Sequence, residues 1–228
     1  MKTNLLPAVF LVLFLLPSPA AETPLDLLSL PALDGDAAVS YNQWLATSFR
    51  SGGEASTYRV ESLTVRIDCV VANASVFMGI AGSLNGRPNL EDIRVVFDET
   101  ALTVPLHSSA AFSLTLEPDP AFGMPVLLPE SDYWLVFGVT APDWDAGQAG
   151  GLYHWSYAAT GGPFSTAGGW SIGAAVATGN TGGQNWTPEN NTPYLFGLAV
   201  TPVPEPASLL LILAAGLQLC RRRRSLDH

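Results

Sequence analysis

The chain has 228 residues, enough for one domain of ordinary size, and it carries a formal net charge of −10. Residues 22–201 contain five arginines, no lysine and 18 acidic residues, and such an acidic surface repels phosphate backbones and excludes nucleic acid as a partner. The 21 glycines, the 18 prolines and the low charged fraction of 13% disfavour a helical bundle and favour a turn-rich all-β domain.

Residues 1–21 have the pattern of a secretory signal peptide. Lys2 supplies the positive start, residues 5–16 form a 12-residue apolar core, and the small residues at 18–21 suit signal peptidase. As a helix, the core would reach only about 18 Å, against roughly 30 Å for the hydrocarbon layer of a bilayer, so a membrane anchor is disfavoured. The pattern predicts export by the Sec machinery, removal of the signal by signal peptidase, and a body of residues 22–201.

Two acidic pairs raise the question of a metal ion. Asp34 and Asp36, and likewise Asp143 and Asp145, place carboxylates two residues apart, a spacing that suits Ca²⁺ when loop carbonyls join them. Neither pair fits the EF-hand pattern. We therefore favour solvated turn residues and expect no cofactor, with Ca²⁺ at Asp34 and Asp36 as the alternative.

Short apolar segments separated by turn residues recur along the body. No window shows a convincing helical period, and the pattern favours strands. Residues 76–81 form a nearly continuous apolar run that predicts a buried strand, and 133–139 (YWLVFGV) predicts a central one. Further strands are predicted at residues 63–69, 112–116, 153–157 and 194–200. The predicted fold is an antiparallel β-sandwich or jelly roll, flanked by the N-terminal signal helix and a C-terminal transmembrane helix.

Two local features refine this prediction. Val60 is out of phase with Leu63 and the apolar face that follows it, which predicts a β-bulge near Glu61 and Ser62. The sequence NGRP at residues 85–88 is typical of a turn. The sequence therefore predicts a bulge within one strand and a turn between two others.

Residues 147–183 hold 11 of the 21 glycines together with many aromatic residues. Aromatic rings on glycine-rich loops can stack on sugars, which gives a carbohydrate-binding hypothesis. The alternative, which we favour, is that these rings cover one open end of the sandwich while glycine permits tight turns. The candidate stacking residues are Trp144, Tyr153, Trp155, Trp170 and Trp186.

Histidines and cysteines give little support for enzymatic chemistry. None of His107, His154 and His228 has metal-ligand spacing to another histidine or to cysteine, and no Gly-x-Ser-x-Gly motif is present. Cys69 is expected to be a small buried apolar residue. Cys220 is expected to lie at the cytoplasmic end of a membrane helix, so a disulfide between the two is disfavoured. We predict no catalytic residue and treat a secreted hydrolase as the least favoured function.

The C-terminal tail, residues 202–228, combines three features in order. Residues 204–206 read Pro-Glu-Pro, residues 207–220 carry no charge, and four arginines follow at once, namely Arg221, Arg222, Arg223 and Arg224. A 14-residue helix reaches about 21 Å, which spans a thinned bilayer marginally. The arginine cluster predicts a stop to transfer, with the C-terminus in the cytoplasm and the body outside.

This order resembles the PEP-CTERM sorting signal. The signal would begin with the motif Val203, Pro204, Glu205 and Pro206. The resemblance implies a Gram-negative bacterium that makes extracellular polysaccharide. It also implies recognition by an exosortase, a membrane enzyme expected to cut near the Pro-Glu-Pro motif. The two prolines favour an extended backbone there. Residues 203–206 would therefore be a recognition motif for another enzyme and not catalytic residues of this chain.

The body resembles the choice-of-anchor R domain, whose relatives occur with different surface-anchoring tails. The motifs that carry this resemblance are residues 43–49 (QWLATSF), 63–66 (LTVR), 85–88 (NGRP), 132–136 (DYWLV) and 194–198 (YLFGL). It implies a β-sandwich at the cell surface and brings no catalytic residues.

Together, these patterns predict an exported, non-enzymatic surface or extracellular-matrix protein. The chain would be held in the inner membrane by its tail and reach the cell surface or medium after processing. An association with exopolysaccharide or biofilm is expected. A carbohydrate-binding module that uses the loop aromatics is the alternative.

Overall fold

The computed structural model describes residues 20–30, 32–71, 75–103, 111–140, 152–158, 164–178, 182–188 and 193–203. Most of these residues lie in strands. The strands are β1 (Glu22–Asp26), β2 (Ala32–Val39), β3 (Trp44–Arg50), β4 (Thr57–Val71), β5 (Val76–Leu84), β6 (Arg87–Val96), β7 (Phe112–Leu116), β8 (Val126–Leu127), β9 (Asp132–Val139), β10 (Leu152–Ala158), β11 (Phe164–Ser165), β12 (Ser171–Thr178), β13 (Thr187–Pro188) and β14 (Phe196–Val203). One short helix, α1 (Thr100–Thr103), and two 3-10 turns, Pro120–Phe122 and Ala167–Gly169, connect them.

Strand β4 organises the first sheet, sheet I. Leu63 and Val65 pair with both β7 and β14, whereas Ile67 pairs with both β7 and β10. Because a strand residue has one neighbour on each side, β14 and β10 lie end to end along one edge of β4, and β7 lies along the other. Strand β1 adds to β14, β2 adds to β10, and β8 pairs with the start of β4.

The second sheet, sheet II, runs in the order β11-β12-β3-β9-β5-β6, with β13 pairing β12 on the side of β11. The predicted central strand is confirmed, since β9 is fully buried after Asp132 and lies between β3 and β5. The predicted turn joins β5 to β6. Asn85 and Gly86 both have positive φ, 53° and 71°, between the paired residues Leu84 and Arg87, as a type I′ hairpin requires.

The two sheets pack face to face over one apolar core. Leu63, Val65 and Ile67 of β4 are buried on the predicted face, and Val76–Leu84 is buried over most of its length. Aromatic rings bridge the sheets, with Phe137 and Trp155 at 6.0 Å between ring centroids. All paired strands are antiparallel, so the predicted antiparallel β-sandwich is confirmed for the described residues.

The predicted bulge in β4 is also confirmed. Ala199 pairs with Ser62 but Val200 pairs with Val60, which leaves Glu61 as the extra residue. A side-chain hydrogen bond with Thr201 lowers the pKa of the Glu61 carboxyl, against the effect of burial, and Arg59 lowers this pKa further. The bulge therefore ties β4 to the last part of β14.

The last strand runs further than predicted. The sequence predicts a strand at residues 194–200 and a body that ends at residue 201, but Thr201, Pro202 and Val203 continue β14 and pair with β4. Pro202 is tolerated because β1 pairs with β14 only as far as Val200, so β14 is an edge strand at Pro202. The sheet therefore reaches the residue directly before Pro204.

The predicted terminal helices, at residues 1–21 and 207–220, lie outside the described residues apart from Ala20 and Ala21. Within the part of the chain that the structure describes, no helix is both long enough and apolar enough to cross a bilayer.

Candidate functional site

The predicted stacking residues of β10 lie inside the sandwich. Tyr153 and Trp155 are fully buried, and Trp155 stacks on Tyr194 with 4.6 Å between the ring centroids. The indole N–H of Trp155 donates to the carbonyl oxygen of Leu195 at 3.1 Å, and the Tyr153 hydroxyl donates to that of Leu102 at 3.1 Å. Rings whose faces and polar atoms are both occupied cannot stack on a sugar, so the carbohydrate-stacking hypothesis, the less favoured of the two, is wrong for these two residues.

Trp170 is also part of the core. It packs edge-on against Tyr58, with ring centroids 4.8 Å apart, and stacks on Phe49 at 6.5 Å. A Cβ atom on Gly52 would lie 2.6 Å from its indole nitrogen, so the ring is covered by the chain after β3. The stacking role is therefore wrong for Trp170 as well. Trp144 lies outside the described residues.

The outer face of sheet II carries a second apolar cluster, which the segment 182–188 covers. The indole of Trp44 lies over Gly138, so closely that a Cβ atom at this position would clash with the ring. The indole N–H of Trp44 donates to the carbonyl oxygen of Val139 at 3.1 Å. The buried members of this outer cluster are Trp44, Ala46, Ala81, Trp134, Val136, Val176 and Trp186. An outer face this apolar requires a cover, and Trp186 from the segment supplies it.

Beside this cluster lies an open groove, the Trp186 groove, of about 450 Å³. Its lining residues are Leu84, Asn85, Arg87, Pro88, Asn185 and Trp186. Asn85 and Arg87 come from the β5–β6 hairpin, whereas Asn185 and Trp186 come from the covering segment about 100 residues later in the chain. The volume falls within the range of small-ligand sites, roughly 300–1,000 Å³.

The groove offers polar groups and no open aromatic face. Trp186 is 5% exposed and belongs to the outer cluster, so the stacking role is wrong for this ring too, whereas the two asparagine amides offer both donors and acceptors for hydroxyl groups. Arg50, Arg59 and Arg94 are held by acidic neighbours, but Arg87 has no acidic partner among the described residues. Its exposed guanidinium is thus available to a hydroxyl or carboxylate group.

His154 and Asp68 face each other across β10 and β4 on the outer face of sheet I. His154 Nδ1 and Asp68 Oδ2 are 4.0 Å apart, and the two side chains are 26% and 17% exposed. The other carboxylate oxygen, Oδ1 of Asp68, is buried without a hydrogen-bond partner in the described part of the protein. His154 therefore lies on the outer face of β10, 26% exposed, and not in the core.

The candidate calcium residues Asp34 and Asp36 lie in β2, at an irregular stretch of its pairing with β10, and not in an isolated turn. Their side chains lie outside the described structure, as do Asp143, Asp145 and His107. Among the side chains that the structure describes, no group of three or more potential metal ligands comes together.

Of the sorting residues, only Val203 is described, and it closes β14 opposite Thr57. Pro204, Glu205, Pro206 and the four arginines at 221–224 lie beyond the described chain. The groove residues other than Trp186 were not predicted, because neither the asparagines nor Arg87 form a recognisable motif. The hairpin turn gave the only local signal, and its contact with residues 185–186 is long-range.

Comparisons with protein families, with curated proteins and with solved structures find no match to this chain.

Proposed function

We propose that this protein is an exported, non-enzymatic surface or matrix protein whose C-terminal tail is recognised and processed by an exosortase. The observation that carries the proposal is the ordered tail that follows β14: Pro-Glu-Pro at 204–206, an uncharged segment at 207–220, and four arginines at 221–224. The four arginines favour a cytoplasmic C-terminus and an external body, as the signal at residues 1–21 also does.

The boundary of the sandwich supports a detachable tail. Val203 pairs with Thr57, and its carbonyl oxygen accepts a hydrogen bond of 2.9 Å from the Ser56 hydroxyl. Removal of the chain after residues 204–206 would leave all of β14 in place. The PEP-CTERM resemblance, the choice-of-anchor R-like body and an association with exopolysaccharide or biofilm belong to the same proposal.

Mass spectrometry of the C-terminus tests processing. In the native host, we expect a mature protein that has lost the segment after about residues 204–206, and in a strain without its exosortase a full-length, membrane-bound protein. The same peptides must be quantified in both strains, with an exported protein that lacks the tail as the control. An intact tail in both strains would contradict the proposal.

A second candidate function is carbohydrate binding, which the Trp186 groove favours. This moves the sugar-binding hypothesis from the buried rings of β10 to a surface groove with two amides and the guanidinium of Arg87, which has no acidic partner among the described residues. The net charge of the body disfavours a densely charged polyanion. The best-matched ligand is a neutral sugar or one with isolated carboxylates in an exopolysaccharide.

Replacing Arg87 with alanine tests this candidate. We expect Arg87→Ala to weaken binding to the host's purified exopolysaccharide by about 10- to 100-fold, because a charge-assisted hydrogen bond of about 1.5–3 kcal/mol is lost. Arg94→Ala is the matched control, because it removes the same charge from the same strand outside the groove. Equal affinity of both variants and the unchanged protein, in titration calorimetry, would remove the groove as the binding site.

A further inference from the structure

The tip of the β5–β6 hairpin carries a chemically labile pair, Asn85 and Gly86, which is the only Asn-Gly step in the sequence. Both residues are exposed, and a Cβ atom built on Gly86 would have no neighbour within 4 Å. The Gly86 N–H donates no hydrogen bond within the described part of the chain. Asparagine is among the thermolabile residues, and a following glycine leaves the next backbone nitrogen unshielded because it has no side chain.

The reaction open to this pair is deamidation. The Gly86 nitrogen loses its proton to a base in solution and attacks the side-chain carbonyl carbon, Cγ, of Asn85. A bond forms between this nitrogen and Cγ, the bond from Cγ to the side-chain nitrogen breaks, and that nitrogen takes up a proton and leaves as ammonia. Water then opens the five-membered succinimide at either of its carbonyl groups, which yields aspartate or isoaspartate. In sum, asparagine and water give a carboxylate and ammonium, and the protein gains one negative charge.

The turn already holds Asn85 close to the geometry of this ring. The φ angles of Asn85 and Gly86 are 53° and 71°, as in a type I′ turn. Rotation of the peptide plane between them gives a type II′ turn, whose first central residue has a φ of about +60° and a ψ of about −120°. At that ψ, the Gly86 nitrogen eclipses Cβ of Asn85, as the five-membered ring requires. Gly86 accepts φ angles of either sign, so Leu84 and Arg87 need not unpair.

Asn185 provides a comparison within the same groove. It is also exposed, and its φ of 58° is close to that of Asn85. The next residue, however, is Trp186, which is 5% exposed and packed in the outer cluster. The Cβ atom and the fixed packing of Trp186 restrict its φ, so the peptide plane before it cannot rotate as it can before glycine. Asn185 should therefore react much more slowly than Asn85.

We propose that Asn85 is a site of spontaneous deamidation, and that the resulting carboxylate weakens ligand binding in the Trp186 groove. The first part depends only on the hairpin, whereas the second rests on the carbohydrate-binding candidate. Asn85 and Arg87 line the same groove, and Arg87 has no acidic partner among the described residues. A carboxylate at position 85 would supply that partner, so the guanidinium would be less available to a hydroxyl or carboxylate of the ligand.

Ageing of the full-length protein in a mildly alkaline buffer tests the modification. Peptide mass spectrometry should show isoaspartate accumulating at Asn85 several-fold faster than at Asn185, and isoaspartate is diagnostic because it arises through the succinimide. Asn85→Gly is the matched control, since Gly-Gly also suits a type I′ turn and should leave the hairpin unmodified.

A sample unfolded in urea provides the positive control for this chemistry. Isoaspartate at Asn85 in urea, with none in the folded protein, would overturn the proposal, because the hairpin would then hold the peptide plane fixed. Equal accumulation at Asn85 and Asn185 in the folded protein would also overturn it.

Titration of the host's purified exopolysaccharide tests the consequence for binding. Asn85→Asp should bind about tenfold more weakly than Asn85→Gly, because both variants lose the amide but only the first adds a charge beside Arg87. If Arg87→Ala weakens binding while the two Asn85 variants bind equally, the second part of the proposal is overturned and the groove remains the binding site. If Arg87→Ala has no effect, the carbohydrate-binding candidate fails together with that second part, whereas the isoaspartate measurement still decides the first.

Discussion

Replacing Trp155 with alanine is expected to lower the free energy of unfolding by about 3–5 kcal/mol, the usual cost of removing a fully buried tryptophan. The ring is completely buried, stacks on Tyr194 and contacts Phe137 of the opposite sheet. Its loss also leaves the Leu195 carbonyl without its indole donor. Chemical denaturation of the body, residues 22–203, monitored by circular dichroism, measures the effect.

Two control variants separate packing from other causes. Trp155→Phe keeps an aromatic ring but loses the N–H donor, so it should cost less than Trp155→Ala. Ser113→Ala changes an exposed position of β7 and should alter stability by no more than about 0.5 kcal/mol. If Trp155→Ala were as stable as the unchanged protein, the ring would not be a core residue. The sugar-stacking interpretation of β10 would then return.

Truncation of β14 is expected to have the other large effect. A body that ends at Val203 should be as stable as the full chain, whereas one that ends at Ala199 should lose at least about 3 kcal/mol or fail to fold. The shorter body lacks Val200, which is completely buried, and Thr201, which is 8% exposed and lowers the pKa of the Glu61 carboxyl. It also lacks the four residues whose backbones pair with the start of β4.

Urea denaturation of the two bodies, each beginning at residue 22, measures this difference. Equal stability would mean that the end of β14 contributes nothing. An unfolded body that ends at Val203 would mean that the tail belongs to the folded unit, which would contradict its proposed role as a detachable sorting segment.

Much of the sandwich follows from patterns within single segments. The phase change at Val60 predicted the bulge at Glu61, because side chains alternate along a strand and one extra residue reverses that alternation. The Asn85-Gly86 pair predicted the hairpin, because both residues tolerate positive φ. Residues 133–139 predicted a central strand, because apolar residues on both faces need cover on both sides.

The aromatic residues show that such patterns do not predict which face of a strand is buried. Alternation correctly placed Tyr153 and Trp155 on one face of a strand, but it does not say whether that face meets the core or solvent. The packing of sheet I against sheet II, seen in the contact of Trp155 with Phe137, made this face the inner one. Strand β12, in the glycine-rich region, was not predicted, because its small residues give little hydrophobic contrast.

The sequence by itself determined the all-β class, the bulge, the hairpin and the ordered features of the tail, because each depends on residues close together in the chain. Only the tertiary structure decided that Tyr153, Trp155 and Trp170 are buried, that β14 continues to Val203, and that Arg87 and Trp186 line one groove. The physical reason is that burial and site formation depend on contacts between strands far apart in sequence, such as the cover that residues 182–188 place over sheet II.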